Sequence, residues 1–109
     1  MNVRLFHLCA THAWSAVTTD YRPASLGTEG FIHLSTEQQW RGTAARFFRG
    51  CDDLLLLELD AASLAGLVRF EPADGDEFPH LYGPLPRTAV VAVTNVSVDE
   101  AGRVTTRAR

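Results

Sequence analysis

None of the ten basic residues in this chain is lysine; every one is arginine. Without a lysine amine there is no Schiff-base nucleophile, and that class of covalent chemistry is excluded. Cysteine is scarce as well. Cys9 and Cys51 stand far apart with no CxxC spacing, which excludes four-cysteine zinc sites and disulfide-dense secreted scaffolds. No apolar run approaches the ~20 residues that cross a bilayer, and Met1-Asn2-Val3-Arg4 lacks the pattern of a signal peptide. A cytoplasmic protein with no membrane partner is therefore expected. The formal net charge of -3 argues against a nucleic-acid module held by a basic face.

What is present suits one globular domain: 109 residues, 46% apolar and 21% charged. The expected architecture is α+β, with a single domain over residues 1–95 and a C-terminal hairpin or loose tail over 96–109. Val3 to Cys9 reads as a buried strand, and Thr11 as the cap of a short helix, His12 to Val17, with Trp14 in the core. Thr19 to Gly30, broken by Pro23, Gly27 and Gly30, reads as a loop. Phe31 to Ser35 is a second strand whose period of two puts Phe31, His33 and Ser35 on one face. A helix is expected from Thr36 to Phe48, with Ser35-x-x-Gln38 or Thr36-x-x-Gln39 as capping box and Gly50 as stop. Trp40, Ala44, Phe47 and Phe48 would form its apolar stripe.

Leu54 to Leu59 is continuous apolar sequence, which predicts a central strand covered on both faces. Asp60 caps a short helical turn, and a strand Leu67 to Glu71 follows. Pro72 to Asp76 is a turn. Phe78 to Tyr82 is extended but confined by Pro79 to an edge or an irregular stretch. A strand Ala89 to Val93 precedes a hairpin around Asp99 to Gly102.

Three of the four histidines, His7, His33 and His80, lie in or beside predicted strands among aromatic and hydroxyl residues. Together they point to one pocket; His12 falls on an exposed helix face. Ser35 and Thr36 are helix caps that can also offer an anion the free amides of a helix N-terminus. Arg22 is the arginine placed to reach an anionic ligand, with the Ser25 and Thr28 hydroxyls nearby. Tyr82, close to His80, is a stacking platform or a rim aromatic. Glu71 shares a strand face with Arg69 and is the one candidate carboxylate. His7, His33, His80 and Glu71 are also metal-ligand types, but at no diagnostic spacing.

The run Tyr21-Arg22-Pro23-Ala24-Ser25-Leu26-x-Thr28-Glu29-Gly30-Phe31-Ile32-His33-x-Ser35-Thr36, followed by Phe78-Pro79-His80-Leu81-Tyr82-Gly83-Pro84-Leu85, resembles the bacterial family called domain of unknown function 952. His7 and Trp14 fit that family's opening pattern. The likeness runs from Leu5 to about Val93. More distantly, Leu5-Phe6-His7, Ile32-His33-Leu34-Ser35 and the leucine-rich strand to Asp60 resemble the NAD-binding lobe of RNA 2′-phosphotransferases. That resemblance implies the ADP-ribosyltransferase-like fold, a split pair of mixed sheets with two or three short helices around NAD. Leu8-Cys9 stand where those relatives carry Gly-Thr, and the Glu-x-Glu pair of arginine-modifying toxins is absent.

By that resemblance His7 and His33 would be catalytic, with Glu71 as the charge beside the ribose. Arg22, Ser25, Ser35, Thr36, His80 and Tyr82 would bind the cofactor, NAD. The expected partner is thus a small-molecule or nucleotide ligand. A non-catalytic binding module and a metal-dependent hydrolase using the histidines are the other two readings.

Overall fold

The computed structural model describes residues 3–109. In chain order its elements are β1 (Arg4–Ala10), α1 (Thr11–Ser15), β2 (Asp20–Tyr21), α2 (Ala24–Thr28), β3 (Ile32–His33), α3 (Trp40–Phe47), β4 (Leu54–Asp60), β5 (Val68–Ala73), β6 (Asp76–Leu81), β7 (Leu85–Pro86), β8 (Val90–Val98) and β9 (Val104–Ala108). Short 3₁₀ turns occupy Ala61–Leu64 and Arg87–Ala89. The strands form three sheets, β1-β4-β8-β9, β2-β7 and β3-β6-β5. The α+β class is as expected, but every strand pair described is antiparallel rather than mixed.

The leucine run forms the central β4, and its two faces serve two cores. Leu55, Leu57 and Leu59 pack with Leu5, Trp14, Tyr21, Ile32, Leu34, Leu81 and Leu85. Leu54 and Leu56 pack on the other side with Phe6, Leu8, Trp40, Ala44, Val96 and Val98. This alternation is why the strand carries no polar side of its own. One face of the large sheet is covered by α3, the other by α1 and the two smaller sheets. Val91 is the extra residue of a bulge, since Glu58 pairs with Ala92 and Leu59 with Val90.

Several local expectations need correction. The helix begins at Trp40, not Thr36, because Thr36 to Gln39 forms a preceding turn closed by Gln39 N–H and Trp40 N–H to the Thr36 carbonyl. Gln39 Oε1 accepts the Thr36 amide at 3.0 Å, which is one half of the expected capping box. Ser35 is not a cap. Its backbone exchanges two hydrogen bonds with Phe6, each 2.8 Å. Phe47 is 59% exposed and so does not belong to the buried stripe. Thr11 makes no side-chain cap; the cap position is Ala10.

Pro79 is fully buried in β6, the middle strand of its sheet, rather than at an edge. Its carbonyl accepts from Leu34 N–H on the β3 side. In an antiparallel strand the nitrogen of the same residue faces the same way, so the missing donor falls just beyond the end of β3, where no ladder bond is required. The segment expected as a loop, Thr19 to Gly30, holds β2 and α2. Of the two alternatives for the C-terminal segment, hairpin or loose tail, the structure has the hairpin: β9 pairs with β8 from Val98↔Val104 to Thr94↔Ala108. The Asp74-Gly75 turn joining β5 to β6 has φ of 52° and 81°, the left-handed pair that a two-residue hairpin favours.

The two hydrogen bonds between Phe6 and Ser35 tie the chain leaving β3 to the free edge of β1. A cleft lies beside this junction, lined from β1, α3 and the β3-β6-β5 sheet.

Candidate functional site

The cleft has a volume of about 460 Å³. His7 and Leu8 from β1, His33 to Ser35, Thr43, Phe47 and Phe48 from α3 and its end, and Ala73, Asp74, Phe78 and His80 from the β5–β6 hairpin line it, together with Glu29. His33 and His80 are brought together by direct pairing of β3 with β6, their ring centroids 5.5 Å apart. Alternation along β3 does this: Ile32 and Leu34 turn into the core while His33 turns out.

The three imidazoles have different hydrogen-bonding states. His7 Nδ1 lies 2.6 Å from the His33 carbonyl and must donate to it. Its Nε2, 2.9 Å from the Tyr21 hydroxyl, then accepts. Burial lowers its pKa from 6.5 to about 4, although the His33 carbonyl opposes that shift. His7 is therefore neutral and both its nitrogens are engaged. Through these contacts His7 links β1, β2 and β3.

His33 is more than half exposed, and its Nε2 lies 2.6 Å from Glu29 Oε2. His80 is 5% exposed, and Nδ1 contacts Glu71 Oε1 at 2.8 Å. The Tyr82 hydroxyl donates to the same oxygen at 2.5 Å. Those two bonds, Tyr82's first and His80's second, hold the Glu71 carboxyl below its usual range, so it is an ionised acceptor at neutral pH. His80 thereby carries its proton on Nδ1, and Nε2 has no partner among the described residues. No buried side-chain nitrogen or oxygen among the described residues is unsatisfied, so Nε2 is open to the cleft. Phe31 buttresses the ring, stacked at 4.0 Å and 18°, and Tyr82 packs against Phe31 in turn.

Of the residues expected at a site, His7, His33, Ser35 and His80 line the cleft. Glu71 and Tyr82 stand behind His80. Arg22, Ser25 and Thr36 do not line it. Arg22 is exposed and pairs with Asp20 at 3.6 Å. The Ser25 hydroxyl donates to the Phe31 carbonyl at 2.8 Å and fixes the loop before β3. The Thr36 amide is already taken by Gln39, which removes it from anion binding. Sequence reasoning gave no role to Tyr21, Glu29, Phe31, Thr43 or Asp74. For Glu29 and His33, four apart across Gly30, the spacing itself was the available signal. Among the described residues no group of three or more His, Cys, Asp or Glu side chains is placed to hold a metal ion. No helix described is long and apolar enough to cross a membrane.

Residues 8–93 match the family described as "Protein of unknown function (DUF952)", and the chain belongs to it. The crystal structure of protein CC0527 from Caulobacter crescentus is similar, with 31% identity over 94% of this chain and 93% of that one and a TM-score of 0.84. The solution NMR structure of CC0527 gives 32% identity, 91% and 89% coverage, and a TM-score of 0.78. No curated protein matches the chain. His7 lies one residue before the matched segment, while His33, Glu71, His80 and Tyr82 all fall within it.

Proposed function

We propose that this DUF952 protein binds a small aromatic ligand of the nucleotide class in the cleft, NAD being the first candidate, and that Glu71 and His80 supply an acid–base group at its wall. The observation that carries the reading is the buried His80, anchored on one nitrogen by a carboxylate and open on the other to the cleft. A carboxylate-held imidazole of this kind fixes tautomer and direction, which is what a general base requires. The cleft beside the Phe6–Ser35 bridge, between the large sheet and the β3-β6-β5 sheet, supports an ADP-ribosyltransferase-like reading with NAD in that cleft.

The cleft volume suits a heterocycle and a sugar, and the Ser35 and Thr43 hydroxyls, 3.4 Å from each other, offer polar contacts at its floor. Among the described residues no arginine lines it, and the chain has no lysine, so the cleft offers the pyrophosphate of NAD no permanently charged partner. NAD would bring a glycosidic bond with a stable leaving group. His80 Nε2 would accept the proton of the attacking hydroxyl while Glu71 steadies the imidazolium. Glu71 faces His80 rather than the ligand, which moves it from the ribose-side charge suggested by resemblance to a positioning residue.

NAD titration followed by imidazole NMR tests this. Saturable shifts are expected at His33 and His80, with the exposed His12 as the unmoved control. Four unmoved signals at millimolar NAD would sink the nucleotide reading. Glu71→Gln should keep affinity within about threefold and slow release of nicotinamide by roughly 10²–10⁴-fold; unchanged turnover would refute the acid–base pair.

A further inference from the structure

We infer that the cleft selects organic cations bearing an aromatic or methylated nitrogen and rejects anions. This rests on the cleft being a small-molecule site, and it names the class of ligand portion that enters. Two carboxylates, Glu29 and Asp74, line the cleft, and no arginine does; lysine does not occur in the chain. Aromatic side chains stand among the rest of the lining, with Phe47, Phe78 and the His33 and His80 rings beside aliphatic and hydroxyl residues. Aromatic faces combined with carboxylates form the kind of cage that holds a weakly hydrated organic cation.

The neighbouring charges leave this field in place. Glu29 meets His33 through Oε2 only. Asp74 meets Arg46 through Oδ1 at 3.4 Å, and that guanidinium lies over the ring of Phe47, 5.1 Å from its centroid; Arg46 itself does not line the cleft. The second oxygen of each carboxylate makes no hydrogen bond among the described residues. His7, neutral and doubly bonded, contributes no positive charge. An anion entering here would lose hydration and meet two carboxylates with no fixed cation in return. The acidic pair is not the only feature that points inward. The 5%-exposed His80 lines the same space, with Nδ1 held by Glu71 and Nε2 without a hydrogen-bond partner among the described residues. A dinucleotide would therefore insert its ring and leave its phosphates in solvent.

The test uses the full chain and one ring in three charge states: benzyltrimethylammonium, benzyl alcohol and benzoate, titrated at low ionic strength and read at the His33 and His80 signals. The cation should bind about tenfold tighter than the alcohol, and benzoate about tenfold weaker than the alcohol. A double variant, Glu29→Gln with Asp74→Asn, should reduce the cation's advantage to about twofold and leave alcohol binding intact. Asn tolerates the positive φ at this turn position, so the hairpin is retained. Benzoate binding as tightly as the cation, or an undiminished preference in the double variant, overturns the inference. If NAD moves the histidine signals yet the three probes show no charge order, only this inference fails. If neither NAD nor any probe moves them, the small-molecule reading fails with it.

Discussion

Folding stability is expected to fall by about 2 kcal/mol as pH drops from 6.5 to about 4, through His7 alone. In the unfolded chain this imidazole takes up a proton near 6.5; in the fold, burial delays that to about 4. Across the interval the unfolded state binds the extra proton, so acid favours unfolding. Stability from this source is complete above 6.5, declines through the interval and stops declining below about 4. The full interval would carry at most ~3 kcal/mol, and the edge of the residue open to the cleft trims it. Denaturant melts at several pH values measure the slope. A His7→Asn variant, whose amide can still donate to the His33 carbonyl, should flatten it, and the difference between the two curves removes the contribution of other titrating groups. Equal slopes in the two proteins would show that His7 is not a buried neutral imidazole.

The largest effect on folding is expected at Leu57. It is 0% exposed, central in β4, and paired with His7 on one side and Val93 on the other. Truncation to Ala removes three buried heavy atoms in a position held by two strand neighbours, so the cavity collapses poorly. A loss of ~3–4 kcal/mol follows, or a Tm drop of roughly 10–20 °C for a domain of this size. Val91→Ala, at the exposed bulge residue (48% exposed), should cost about 1 kcal/mol or less. Thermal unfolding of the two variants checks the contrast. A loss below about 1 kcal/mol at Leu57 would contradict the two-sided burial of β4.

That two-sided burial was legible in the sequence, because only a strand covered on both faces tolerates six consecutive positions with one charge. The alternation that sends His33 outward was legible for the same reason, as was the Asp60 turn, where Asp60 accepts from Ala62 N–H and Ser63 Oγ. The order of the strands was not. β2 and β7 are two residues each, and nothing in Asp20–Tyr21 or Leu85–Pro86 signals that they pair. Pro79 misled because its effect depends on where the neighbouring strand ends, a tertiary fact. The hairpin expected around Asp99 to Gly102 is the turn between β8 and β9, but the length of the pairing, to Ala108, is not signalled by Val104-Thr105-Thr106.

At the site, residue types were legible and partnerships were not. His7, His33 and His80 do share a cleft. Their division into a saturated imidazole, an exposed one and a carboxylate-held one depends on Tyr21, Glu29 and Glu71, each brought in from another segment. Arg22 looked suited to an anion by residue type, yet Asp20 two positions earlier already neutralises it.

The proposed site depends most on the state of one ring, that of His80. Nitrogen-15 NMR of His80 above the imidazole titration range reads its tautomer directly. The predicted result is a proton on Nδ1, bonded to Glu71, with an unprotonated Nε2 that moves when a ligand enters the cleft. A proton on Nε2, or an Nε2 signal indifferent to every ligand that binds, would contradict it.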